Sequence, residues 1–235
     1  MTTFPRAILI DLDDTLLDDS SNVDACWIDA CAVATDRVHV SVVELRQTIG
    51  GHVSVYRSNP ENDRNNYRAA TRQLVEQAFK TLGIADLDLA YEIAERYQDL
   101  RGERSTPFPG VKDALDHLRR KGVRLGMMTN GNGAGQRARI NRFGLGRYFD
   151  HIVIEGELGA GKPDPRVYDT LLSALDSAPE DTWAIGDNLE LDVLAPMRLG
   201  LHGIWVDLRN AGLAGHPDRP HRVVSAFTEI VETPA

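Results

Sequence analysis

Short apolar runs separated by stretches of helical periodicity constrain this chain more than any other feature. The runs are Ala7–Ile10, Val123–Met128, His151–Glu155, Thr182–Ile185 and Gly203–Val206. Between the last four lie Gln136–Phe143, Pro163–Leu175 and Leu189–Leu199, and Val111–Lys121 precedes them. Apolar runs without polar alternation read as strands buried on both faces. Strands joined through helices in this way need right-handed crossovers. The pattern predicts an α/β fold, a doubly wound parallel sheet with helices on both faces.

One long segment breaks that rhythm. From about Asp18 to Ser105 the periodicity is helical, as in Tyr67–Phe79 and Leu87–Leu100, and no convincing strand occurs. The downstream edge, Ser105-Thr106-Pro107-Phe108-Pro109-Gly110, disfavours a continuing helix. The expected organisation is a core built from residues 1–17 and 106–235, interrupted by an all-helical domain at 18–105.

The 235 residues, 42% hydrophobic and 26% charged, are ample for a buried core. A formal net charge of −9 argues against a partner such as a nucleic-acid polymer, since phosphate-backbone binders display basic faces. A phosphorylated ligand would need a local cation. No apolar run approaches the roughly 20 residues of a membrane span, and Met1–Pro5 lacks the basic and apolar regions of a secretory signal. No membrane partner is expected, and the expected location is cytoplasmic. Cys26 and Cys31, five apart, fall on different faces of a helix and read as reduced and structural.

The first apolar run leads straight into carboxylates, in Ile10-Asp11-Leu12-Asp13-Asp14-Thr15-Leu16. Ligands of open α/β sheets bind beyond the carboxyl ends of the strands, where this pair sits. Neighbouring carboxylates repel unless they share a proton or a cation, and hard oxygen ligands suit Mg²⁺. The plainer reading is a turn or helix cap. A calcium loop starting at Asp11 fails, because Leu16 stands where its glycine belongs and Asn22 where its glutamate belongs.

Three later strand ends also carry polar groups. Thr129-Asn130-Gly131 offers a hydroxyl, an amide and backbone N–H groups to phosphate oxygens, although Asn-Gly is also a common turn. Gln136 replaces the third glycine of the dinucleotide fingerprint begun by Gly131 and Gly133. Gly156 to Lys162 follows a P-loop until Pro163 replaces its Ser or Thr. Pro163 suits the first position of the next helix, which leaves Lys162 in the preceding loop, either free to reach an anion or simply solvated. In Gly186-Asp187-Asn188-Leu189-Glu190-Leu191-Asp192, Asp187 closes a strand and Asp192 lies a turn into the next helix. Both can face a site above the sheet, and either could merely favour a helix start.

In this order, each after a predicted strand, these residues resemble the haloacid dehalogenase (HAD) superfamily. The resemblance covers about two thirds of the chain, on both sides of the insertion. It implies a Rossmann-like core with a helical C1-type cap domain inserted after the first motif. It implies Asp11 as the nucleophile that takes a phosphoryl group and Asp13 as general acid and base. Thr129, Asn130 and Lys162 would hold phosphoryl oxygens. Mg²⁺ would sit on Asp11, the backbone carbonyl of Asp13 and Asp187, with Asp192 acting through water or by orienting a neighbour. Family members that cleave carbon–halogen bonds lack a carboxylate two residues after the nucleophile, so Asp13 argues for phosphoester chemistry. Thr129-Asn130-Gly131, with Phe143-Gly144-Leu145 and Tyr148-Phe149-Asp150, is similar to the cap-bearing branch of sugar-phosphate, acylneuraminate-phosphate and nucleotide monophosphatases.

The expected activity is Mg²⁺-dependent hydrolysis of a small-molecule phosphomonoester. A phosphomutase of the same superfamily would share the core motifs. A phospho-accepting receiver module is disfavoured by the helical insertion and by Asp13, and a non-catalytic phosphate-binding protein by the presence of all four motifs. In the helical segment, Arg64, Arg68 and Arg72 form a stripe at i, i+4, i+8, beside Arg57, and read first as a solvated face. Trp27 and Tyr56 read as packing residues.

Overall fold

The computed structural model describes residues 4–58, 67–213, 215 and 217–232. In chain order the elements are β1 (Ala7–Asp11), β2 (Leu17–Asp18), α1 (Val23–Cys31), α2 (Val42–Ser58), α3 (Tyr67–Thr81), α4 (Leu87–Arg104), β3 (Thr106–Pro107), α5 (Val111–Arg120) and β4 (Arg124–Thr129). They continue as α6 (Gly133–Arg142), β5 (His151–Ile154), α7 (Glu155–Leu158), α8 (Pro165–Ala174), β6 (Thr182–Gly186), a π-type helix (Leu189–Leu194), α9 (Ala195–Met197), β7 (His202–Val206), β8 (Arg222–Val224) and α10 (Glu229–Glu232). Contacts divide the chain into two compact units, Met1–Asp18 with Thr106–Ala235, and Asp19–Ser105.

The first unit is a six-stranded sheet in the order β5-β4-β1-β6-β7-β8, parallel throughout. Alternate residues of the central strand serve opposite faces. Ile8 and Ile10 pack in one layer with Leu115 and Leu118 of α5, while Ala7 and Leu9 pack in the other with Tyr168 and Leu171 of α8. Both faces are therefore dry, which is why the strand reads as an unbroken apolar run. A separate antiparallel pair, Leu17↔Pro107 and Asp18↔Thr106, brings the two chain crossings side by side.

The five apolar runs all form strands, each within one residue of the expected bounds; Glu155, the last residue of the third run, opens α7. Strand β8 was not expected. It is a three-residue edge strand, too short for its alternation to stand out from the surrounding loop. The next helix does not begin at Pro163. It begins at Pro165, capped by the Asp164 carboxylate on the Arg166 N–H at 3.0 Å, and the Lys162–Pro163 peptide is cis. An N-cap carboxylate followed by proline is the stronger helix start.

Among the described residues, the regular elements of the second unit are all helices. Its core gathers Cys26, Trp27 and Cys31 of α1, Phe79 of α3, and Ile93 and Tyr97 of α4. Trp27 stacks on Tyr97 with ring centroids 3.7 Å apart, so it packs, and both cysteines are free and buried. Arg72 pairs with Glu95, Nε to Oε1 at 2.9 Å. Arg64 and the side chains of Arg57 and Arg68 lie outside the described residues. Among the described residues no helix is long and apolar enough to cross a membrane.

At the start of β7 the His202 ring stacks on His221 at 3.8 Å, and His221 Nδ1 accepts the Gly203 N–H at 3.0 Å. Burial, then His221, holds the His202 pKa below its ordinary value. The unfolded chain therefore takes up this proton more readily, and stability falls as pH drops below about 6.5. His202→Gln is expected to lessen the loss of melting temperature between pH 7 and pH 5. An unchanged loss would sink that assignment.

Candidate active site

Strand order brings the polar groups together. Asp11 ends β1 opposite Met128, Thr129 ends β4, and Asp187 follows the last residue of β6. Since β1 lies between β4 and β6, Asp11 leaves the sheet about one strand spacing of 4.8 Å from Thr129 on one side and from Asp187 on the other. Thr15 Oγ1 accepts the Asp187 N–H at 3.1 Å, and the Trp205 indole donates to the Asp187 carbonyl at 2.8 Å, so the backbone of Asp187 is held from both sides.

Lys162 lies at the centre, and it is not a solvated lysine. It is 6% exposed. Its ammonium donates to Asp11 Oδ1 at 2.6 Å, to Asp192 Oδ1 at 2.6 Å and to the Met128 carbonyl at 3.2 Å, which uses all three hydrogens. Burial opposes the charge, but Asp11 and Asp192 outweigh it and push the lysine pKa above its ordinary value. Asp192 also accepts the Asn188 N–H on Oδ2 at 2.9 Å, so both of its oxygens are engaged. It approaches so close to Gly186 that a Cβ there would run into the carboxylate, which requires glycine at the end of β6.

Asp11, Asp187 and Asp192 each present an oxygen within 4.8 Å of the others. Burial raises the Asp11 pKa well above the usual carboxylate range; Lys162 opposes the shift and Asp192, Asp187 and Asp13 add to it. Asp187 is pushed up to about 7, by burial first and then by Asp192 and Asp14. Three carboxylates facing one ammonium leave an excess of negative charge that a divalent cation would neutralise. Asp11 Oδ2, buried and without a hydrogen-bond partner, is an oxygen such an ion could take. The donor set is hard oxygen throughout, and it fits Mg²⁺.

Asp13 lies just beyond the strand, partly exposed. Its Oδ2 accepts from Gln136 Nε2 at 2.8 Å and from Arg139 Nη2 at 2.9 Å. Thr129 is buried, and its hydroxyl accepts from Gln136 Nε2 at 2.7 Å. The Asn130 carboxamide, expected to face a phosphate, is not free to turn wholly toward one. It brackets Lys162, donating to the Lys162 carbonyl at 2.9 Å and accepting the Lys162 N–H at 2.8 Å. Nor is the Gly131 N–H available, because buried Glu155 accepts it at 2.8 Å. Both groups are spent on holding the lysine loop against the end of β4, since buried backbone needs partners. Gln136, Arg139, Glu155 and Trp205 were missed from sequence. The only signal for the first two was their i, i+3 spacing on one helix face.

Comparison with known proteins decides the family. The sequence profile of the haloacid dehalogenase-like hydrolases matches residues 5–200. The chain belongs to that family. Among curated relatives, this HAD-like hydrolase is 38% identical to the phosphoserine phosphatase of Thermus thermophilus over 119 residues, 50% of this chain and about half, 47%, of that protein. It is 28% identical to human N-acylneuraminate-9-phosphatase over 231 residues, 96% of this chain and 92% of that one. A solved 2-haloacid dehalogenase from Pseudomonas syringae shares the fold, with a TM-score of 0.66, 23% identity and 97% of each chain covered. The fold of this HAD-like hydrolase thus does not choose its chemistry.

Proposed function

We propose that the chain is a Mg²⁺-dependent phosphomonoester hydrolase that acts on a small phosphorylated metabolite through an aspartyl-phosphate on Asp11. The observation that carries this reading is the buried Asp11 carboxylate, tied through one oxygen to Lys162 and free of hydrogen bonds on the other, with Asp13 two residues further on. Two curated relatives carry phosphatase names, one of them aligned over 96% of this chain. A cytoplasmic location accords with two free, buried cysteines.

In this reading an Asp11 oxygen attacks phosphorus, and the ester oxygen departs with the proton that Asp13 donates. Asp13, now ionised, takes a proton from the water that attacks the aspartyl-phosphate, and inorganic phosphate leaves as the Asp11 carboxylate is restored. Lys162 and Thr129 hold the transferring oxygens, and Lys162 can yield its longest hydrogen bond, to the Met128 carbonyl, to do so. Asp192 keeps Lys162 aimed at Asp11. Mg²⁺ bound by Asp11, Asp187 and the Asp13 carbonyl would offset the charge of the dianionic ester.

Phosphate release from sugar phosphates, nucleotides, phosphoserine and phosphoglycolate, measured with Mg²⁺ and again with excess chelator, tests the reading. Release from at least one ester, lost on chelation and restored by Mg²⁺, is expected. Isomerisation of a sugar phosphate without release would replace the hydrolase with a mutase, and no turnover of any ester would overturn the enzyme reading.

A further inference from the structure

Asp13 does not sit on a regular element. The chain turns after β1, with the Leu12 carbonyl accepting both the Leu16 N–H at 3.0 Å and the Leu17 N–H at 2.9 Å, and Asp14 takes a left-handed φ of 58°. Nothing in that backbone fixes where the Asp13 carboxylate points. Two side chains from α6 do, and they come from an element far away in sequence.

Gln136 is 4% exposed, and its amide nitrogen lies 2.7 Å from Thr129 Oγ1, 2.8 Å from Asp13 Oδ2 and 2.9 Å from the Asn130 carbonyl. An amide nitrogen carries two hydrogens, so one is shared between acceptors. The other end of the amide faces Arg139, whose Nη2 donates to Gln136 Oε1. The acceptors around Nε2 and the donor at Oε1 agree on which end of the amide is nitrogen. Arg139, its side chain 17% exposed, places Nη2 2.9 Å from Asp13 Oδ2 and Nη1 2.7 Å from Asp13 Oδ1. The second approach is a charge contact off the line of a hydrogen bond, since Oδ1 has no hydrogen-bond partner. Arg137, between them, turns instead to Glu157.

The two oxygens of Asp13 are therefore unlike. Oδ2 accepts two hydrogen bonds, whereas Oδ1 accepts none and meets Arg139 Nη1 only as a charge. We propose that Gln136 and Arg139 are positioning residues for the proton transfers of Asp13, anchoring Oδ2 so that Oδ1 is the atom that gives and takes the proton. The inference rests on the hydrolase reading above and adds to it both the atom and the residues that aim it. When the ester bond breaks, the Oδ1–H proton passes to the departing alkoxide; when water attacks, Oδ1 takes the proton back. Gln136 also ties this carboxylate to Thr129, so the proton-transfer group and a phosphoryl-holding group keep a fixed relation.

An experiment on two esters distinguishes positioning from simple support of the fold. An alkyl phosphate needs a proton on its leaving oxygen, whereas 4-nitrophenyl phosphate departs as a stable phenolate. The parameter kcat/KM reports the steps through release of the first product. Arg139→Met is expected to lower kcat/KM on the alkyl ester by roughly 10- to 100-fold, part of what an acid catalyst contributes, and to change the aryl ester by no more than about threefold. Arg139→Lys should recover part of the loss, and Gln136→Met should repeat the ester-dependent pattern if Arg139→Met fails to fold. Added to Asp13→Asn, Arg139→Met should cost nothing further. Equal losses on both esters, or a further loss on the Asp13→Asn background, would overturn the positioning role while leaving the hydrolase reading in place. A folded wild-type protein that releases phosphate from neither ester would overturn both.

Discussion

Asp11→Asn is expected to abolish phosphate release, lowering kcat by on the order of 10⁴-fold or more, as loss of a covalent nucleophile does. The substitution keeps the shape of the side chain and still lets an oxygen accept from Lys162, whose second carboxylate, Asp192 Oδ1 at 2.6 Å, is untouched. It also removes one of three carboxylates crowded within 4.8 Å. The variant should therefore melt no lower than the wild type without metal, and its melting temperature should rise less when Mg²⁺ is added. Loss of activity then cannot be ascribed to loss of fold. Phosphate release surviving in the folded variant would remove Asp11 from the nucleophile role.

The second large effect is expected at Lys162. In Lys162→Met, Asp11, Asp192 and Asp187 face one another with no cation between them, and breaking a buried ion pair in this way costs about 3–5 kcal/mol. For a protein of this size that corresponds to a fall in melting temperature of roughly 10 °C. Millimolar Mg²⁺ should restore more stability to this variant than it adds to the wild type, because the ion meets a larger uncompensated charge. Activity should remain at least about 100-fold down even with Mg²⁺, since the lysine also holds the transferring oxygens. A variant that melts like the wild type and turns over normally would show that the buried ammonium serves neither purpose. Reading the two variants together separates charge from chemistry: one removes a negative charge and gains or keeps stability, the other removes the positive charge and loses it.

Much of the core is legible in the sequence. Ile8 and Ile10 face one helical layer and Ala7 and Leu9 the other, so the central strand had to be apolar from Ala7 to Ile10, and an unbroken run of that length is a local signal. Strand β8 left no comparable trace, because an edge strand of three residues buries too little to impose a pattern. The carboxylates at the ends of β1 and β6 were found for a related reason: a charge placed where an apolar run stops is conspicuous. The environment of Lys162 was not conspicuous. Read locally, it is a lysine in a Gly-rich loop, and nothing in Thr129-Asn130-Gly131 says that the Asn130 carboxamide will hold the backbone of Lys162.

The parallel α/β core and the residues that end its strands follow from local patterning, since hydrophobic period and the placement of charges after apolar runs are properties of short segments. What those residues meet is set by contacts between distant parts of the chain. Lys162 reaches Asp11 across 151 positions and Gln136 reaches Asp13 across 123. Whether a carboxylate is anchored, bare or paired depends on such partners, because burial removes water and leaves each polar group dependent on whichever donor or acceptor the folded chain brings to it.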